Sequence, residues 1–211
     1  MDFTDLYIDG QWRATTERFD VINPATEEVL ASVASAEIAD ADAALDAAEA
    51  AMAEWAARTP RERSEVLRKA WELMTVRLED FAKLITLENG KARADAMGEA
   101  AYAAEFFRWF AEEARRIYGD VIPGHGKDKR IVVIKQPVGV VAAITPFNDP
   151  LNLVAHKLGP AIAAGIIAAP SQGTPRRPAR PVAEAPLGRL PALQDRHRRA
   201  THPATPRDPP V

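Results

Sequence analysis

No cysteine occurs among the 211 residues. That excludes a disulfide framework, a thiolate metal site and a thiol nucleophile within this stretch. Histidine is scarce too. Of the four, His125 lies between two glycines, and His197 and His202 have no metal-ligand spacing with any partner, so no metal is expected. No run approaches the roughly 18 apolar residues of a membrane-spanning helix. The opening "MDFTDLYIDGQW" carries two acids and no basic region, so no secretory signal is expected and the cytoplasm is the expected compartment. Lysine is missing after Lys157, where arginine and proline take over. Residues 166–211 hold eight arginines, three acids and ten of the 17 prolines, a balance of +5. The net charge of −3 therefore leaves −8 on residues 1–165.

The first part reads as a folded chain with 47% apolar and 27% charged residues overall, the composition of a globular protein. "LYIDGQWRAT" alternates around Asp9-Gly10 and predicts a hairpin. "FDVINPATEEVLASVAS" predicts a second, turning at Asn23-Pro24. After Ser35, the apolar positions Ile38, Ala41, Leu45, Ala48, Met52 and Trp55 recur at helical spacing and predict one continuous core face. Thr59-Pro60-Arg61-Glu62 is a capping box with proline at the first helical position. It opens a helix with a stripe of Leu67, Trp71, Met74 and Leu78. "EDFAKLITLENGK" predicts a short helix stopping at Asn89-Gly90.

The longest helix is expected from Lys91 to about Tyr118. Ala100, Ala104, Phe107, Ala111 and Ala114 form a mostly small face suited to close packing; Tyr102, Phe106, Phe110 and Ile117 form a bulky one. Gly119 to Gly126 reads as a loop. Two strands follow, split at Gln136-Pro137 because proline cannot continue a central ladder. The second, Val138 to Ile144, has almost no polar residue and reads as covered on both faces. A helix from Leu151 to Ala164 completes a strand–turn–helix unit. Trp55, Trp71 and Trp109 are expected in the core. Beyond residue 165, prolines recur so densely that no helix of normal length fits. The reading there is a disordered tail, or the product of a shifted reading frame in GC-rich sequence. "RRPARP" and "RHRR" lack stacking aromatics, so neither nucleic acid nor a membrane is an expected partner.

The turn "TPFNDPLN" follows the carboxyl end of a predicted strand, where ligands gather in doubly wound sheets. The two amide donors of Asn148 could stabilise a developing oxyanion while staying neutral. They could equally satisfy the turn backbone or cap the following helix.

Several stretches together resemble the amino-terminal part of the NAD(P)-dependent aldehyde dehydrogenase superfamily. They are "LYIDGQW", "FDVINPATEEVLASVA", "AEWAARTPRERSEVLRKAWELM", "LITLENGKARADAMGEAAYAAEFFRWFAEEARRIYGD" and "KQPVGVVAAITPFNDPLNLVAHKLGPAIAAG". The resemblance covers residues 5–165. It implies an α/β fold of hairpins, helices and the start of a Rossmann-like parallel sheet, with 1–165 as a partial cofactor-binding and oligomerisation region and 166–211 as the tail. It also implies oxidation of a small aldehyde to its acid, with NAD or NADP accepting hydride. Asn148 would then donate to the oxyanion of a thiohemiacetal, and Ile144, Thr145, Pro146 and Phe147 would line the dinucleotide. Lys157 matches a family lysine near the active site, or else is an exposed helical lysine. Ala169 and Gln172 stand where the family carries a lysine and a glutamate that bind the cofactor ribose. The family's glutamate base and cysteine nucleophile have no counterpart here, so the chain reads as a truncated form of the family, expected to be inactive by itself.

The resemblance is nearest to the succinate-semialdehyde dehydrogenase branch. That branch often carries an arginine for the substrate carboxylate where this chain has His156, and "NDPLNLVAH" also resembles branches acting on other small aldehydes, phosphonoacetaldehyde and lactaldehyde types among them. A homo-oligomer is implied. The alternative function is an interaction fragment that binds intact family subunits through the first hairpin and the Arg130 to Val140 strands.

Overall fold

Turn chemistry sets the first forty residues of the computed structural model, which describes residues 4–172. Asp9 (φ 53°) and Gly10 (φ 73°) both take the left-handed conformation of a type I′ turn, and they join β1 (Leu6–Ile8) to β2 (Gln11–Arg13). A second antiparallel pair, β3 (Arg18–Ile22) and β4 (Val29–Ala34), turns at Asn23, whose side-chain Oδ1 accepts from the Ala25 N–H at 2.9 Å. Arg18 ties the two hairpins together through Asp5 (2.7 Å) and the Ser32 carbonyl (2.8 Å). Both predicted hairpins are present.

Helix α1 (Ile38–Ala57) is capped by Glu37, whose N–H donates to Asp40 at 2.9 Å. Its expected core face is largely open: Ile38 is 83% exposed and only Ala48 is buried. The periodicity is real, but among the described residues little packs against it. Helix α2 (Pro60–Thr75) starts as predicted, with Thr59 and Glu62 exchanging bonds at 3.3 and 2.7 Å. It ends earlier than its stripe suggested, and Leu78 opens α3 (Leu78–Asn89). Gly90 ends α3 in the left-handed conformation (φ 75°), where a Cβ would also stand 2.7 Å from the Pro24 ring.

Helix α4 (Arg93–Glu113) runs on into a 3-10 turn over Ala114–Arg116. Its small face is buried as expected. Leu67 of α2 and Ala103, Phe107, Ala111 and Ala114 of the α4 segment form the main core. Ala155 and Ala163 of α5 (Asn152–Ala163) complete it. The small residues allow close approach: a Cβ on Gly159 would lie 3.0 Å from the Phe110 ring and 3.5 Å from the Phe106 carbonyl. The tryptophans divide differently from expectation. Trp71 packs half-buried on the core, Trp55 lies 5.4 Å from the Arg58 guanidinium, and Trp109 is 61% exposed.

Part of the expected Gly119–Gly126 loop is a strand. β5 (Asp120–Pro123) pairs antiparallel with β6 (Arg130–Val133). Short, with a proline at its end, β5 offers too little alternation to stand out in sequence. β7 (Val141–Thr145) is shorter than predicted and covered on one face only: Ala143 and Thr145 are buried, whereas Ile144 is 71% exposed. The unpolar run does not guarantee cover when the elements that would supply it are not among the described residues. Helix α5 crosses back to β8 (Ala168–Gln172), parallel to β7 with Val141 opposite Ala168 and Thr145 opposite Gln172. β8 lies past the expected boundary at residue 165; the remainder of the predicted tail, 173–211, lies outside the described residues. No described helix is long and apolar enough to cross a membrane.

Candidate functional site

The corner between β7 and α5 is held by side chains from far away in sequence. Phe147 offers its carbonyl to Asn89 Nδ2 at 2.9 Å. Asp149 takes an ion pair from Lys91. The first N–H groups of α5, on Leu151 and Asn152, both donate to Glu99 Oε1, at 2.9 and 3.2 Å. That carboxylate, 3% exposed, also takes Lys91 Nζ on Oε2 at 2.5 Å. An anion at the positive end of the α5 dipole is favourable on both counts, charge and hydrogen bonding. At the other end of α5 the buried Arg63 donates from Nε to the Ala163 carbonyl at 3.0 Å and from Nη1 to the Arg58 carbonyl. The helix is thus gripped by an acid at its start and a base at its end.

Asn148 sits inside this corner, exposed, and its amide makes no hydrogen bond among the described residues. Capping of α5 falls to Glu99, so the capping alternative for Asn148 is not what the structure contains. Thr145 is buried at the end of β7, while Ile144 and Phe147 (56% exposed) present open apolar surface beside it. Pro146 is exposed. Lys157, in the second turn of α5, is exposed and unpaired among the described residues, and no hydrogen bond joins it to the corner there. Gln172 lies beside Thr145 in the ladder, which brings the carboxyl ends of both parallel strands to one place.

Charges around the corner shift one another. Burial works against the Lys91 ammonium, but the hydrogen bonds to Asp149 and Glu99 outweigh it together and hold its pKa above the ordinary value. The bond from Lys91 holds the Asp149 carboxyl below its ordinary value. Two buried polar atoms nearby, Asn152 Oδ1 and His156 Nε2, have no partner among the described residues. The His156 ring lies 3.7 Å from the Phe106 centroid. Asn89, Lys91, Glu99 and Asp149 all escaped the sequence reading, since each acts across 52 or more residues or through a partner that does. One signal was available: Glu99 is an acid on the small, buried face of α4, among Ala96, Ala100 and Ala103.

A strand whose carboxyl end opens into a helix, followed by a parallel neighbour, is the first crossover of an α/β sheet of the nucleotide-binding kind. Sequence comparison narrows the class. The Aldehyde dehydrogenase family model matches residues 12–183, and this chain belongs to that family. It is 50% identical over 173 residues to the glutarate-semialdehyde dehydrogenase of Pseudomonas putida, covering 80% of this chain and 36% of that protein. It is 49% identical to the NADP(+) succinate-semialdehyde dehydrogenase of Escherichia coli, with the same coverage of both chains. In structure it superposes on the NAD-dependent benzaldehyde dehydrogenase of Corynebacterium glutamicum with a TM-score of 0.78 at 33% identity, over 83% of this chain and 39% of that one. The chain therefore spans about a third of the length of the curated relatives it matches, and its fold is that of the amino-terminal part of aldehyde dehydrogenase structures. The match passes residue 165, as β8 does.

Proposed function

We propose that these residues supply the oxyanion side and one wall of the dinucleotide site for NAD(P)-dependent oxidation of a small aldehyde to its carboxylic acid. The observation that carries this reading is the free, exposed amide of Asn148 on an otherwise clamped corner at the carboxyl end of β7. When a nucleophile adds to an aldehyde carbon, charge develops on the carbonyl oxygen. A donor already fixed in place stabilises it without reorganising, an effect of about 3–4 kcal/mol for one such donor. Bound NAD(P) supplies the hydride acceptor. Ile144, Pro146 and Phe147 offer it open apolar surface, Thr145 closes the strand end beneath, and none of the four carries a charge for its phosphates. Lys157 is assigned a place near the same site on family likeness alone.

The substrate class proposed is a small aldehyde carrying a carboxylate, on the strength of the names of the two semialdehyde-oxidising relatives. The 211 residues contain no cysteine to act as nucleophile, so on their own they are expected to give no NAD(P) reduction with succinate or glutarate semialdehyde. Placed in the Escherichia coli enzyme in exchange for its matching segment, residues 12–172 should support aldehyde-dependent NAD(P)H formation. An active isolated chain, or a folded but dead hybrid, overturns the proposal.

A second reading is favoured by one observation. The β5–β6 ribbon exposes Val121 (70%), Ile131 (50%) and Val132 (68%), surface of the kind that another subunit covers. Co-purification of tagged chain with an intact relative tests it, and recovery of neither partner with the other counts against it.

A further inference from the structure

Between Phe147 and Asn152, four residues are fastened by side chains from the short segment Asn89–Glu99, and Asn148 is not. Asn89 holds the carbonyl before it, Lys91 the carboxylate after it, and Glu99 the first two N–H groups of the helix beyond. A carboxylate as buried as that of Glu99 is costly to keep unless its oxygens are fully used. Here one oxygen takes both helix N–H groups and the other the Lys91 ammonium. We propose that Glu99, together with Lys91 and Asn89, is a positioning residue for Asn148. Its task is to fix the turn so that the amide is held ready for an oxyanion rather than spent on the backbone. The inference rests on the oxyanion role proposed for Asn148. It assigns Glu99 no contact with substrate or cofactor.

A merely structural Glu99 would anchor α5 to α4 and leave the turn before it indifferent. The two roles separate in a 2H,15N-labelled sample of the full 211-residue chain, read by TROSY methods that tolerate the self-association expected of it. Three readouts are followed: amide exchange at Leu151 and Asn152, the backbone heteronuclear NOE at Phe147 and Asn148, and the Asn148 side-chain NH2 shifts. With Glu99→Ala, exchange at Leu151 and Asn152 should quicken about tenfold relative to Leu67 in α2, the effect of losing bonds to a charged acceptor. The Asn148 NOE should fall and its NH2 signals move. Glu99→Gln keeps an oxygen for the two N–H groups and should restore the Asn148 signature. Faster exchange with an unchanged Asn148 signature, or failure of Gln to restore it, overturns the proposal. Should Glu99→Ala not fold, Asn89→Ala removes only the bond to Phe147, and an unchanged Asn148 NOE there overturns it too. None of these readouts depends on whether Asn148 touches an oxyanion, which is settled separately by the turnover of an Asn148 variant.

Discussion

Lys91 and Asp149 show how much of the site lives in single ionisations. Asp149 has a depressed pKa, so its contribution is present above its ordinary value of 3.8 and lost as pH falls through its folded value. Lys91 has a raised pKa, so its contribution is full below 10.5 and lost only as pH climbs through its folded value. Local stability of the corner should therefore be flat between about pH 5 and 9 and fall toward pH 3. The protection factor of the Leu153 amide, which donates to the Asp149 carbonyl, taken against the intrinsic exchange rate at each pH, would follow that profile. A maximum near pH 3 would contradict it. Arg63 is the second such residue. It is 7% exposed, with burial holding its pKa below the usual range, and it donates to two helix-terminal carbonyls. Arg63→Met should cost about 2–3 kcal/mol in urea unfolding, because hydrogen bonds from a charged donor are lost while the carbonyls stay covered. A change under about 0.5 kcal/mol would mean the guanidinium only fills space.

At the scale of elements, α5 is the piece that everything positions, and Gly159 is its closest point of approach to α4. Gly159→Val should destabilise by about 1–3 kcal/mol, since the Phe110 ring and the Phe106 carbonyl leave no room for branching at Cβ. Thermal unfolding of the variant measures it, and an unshifted transition would show that the helices can separate freely. Elements with local causes were legible in the sequence: the Asp9-Gly10 turn, the Thr59–Glu62 cap, the Gly90 stop and the small face of α4 all formed as read. What failed depended on partners. The stripe on α1 and the unpolar run of β7 gave the right element type but the wrong burial, because periodicity states what a face is suited to meet and not what meets it. The corner itself was legible, and its clamps were not. A capping residue three positions away leaves a pattern, whereas Glu99, 52 residues from the N–H of Leu151, leaves only an acid out of place among alanines.

Among the described residues, large apolar side chains stand open on several elements. Ile144 on β7, Ile38 on α1 and both faces of the β5–β6 ribbon stand open, and the β7–β8 pair is two strands of a parallel sheet, an arrangement that needs cover on both faces. The isolated chain should associate with itself or with other proteins at micromolar concentration, and sedimentation velocity over a tenfold dilution series should show species heavier than 23.0 kDa. A single monomeric species with a cooperative thermal transition would contradict this. The function proposed belongs to a site of which the corner forms one side. The role of Asn148 at that site is tested most directly by kcat. In the hybrid that carries residues 12–172 within the Escherichia coli relative, Asn148→Ala should lower kcat for succinate semialdehyde by about 10²–10³-fold with KM little changed, the mark of an interaction made mainly in the transition state. An unchanged kcat in a folded hybrid would show that the Asn148 amide is not the oxyanion donor.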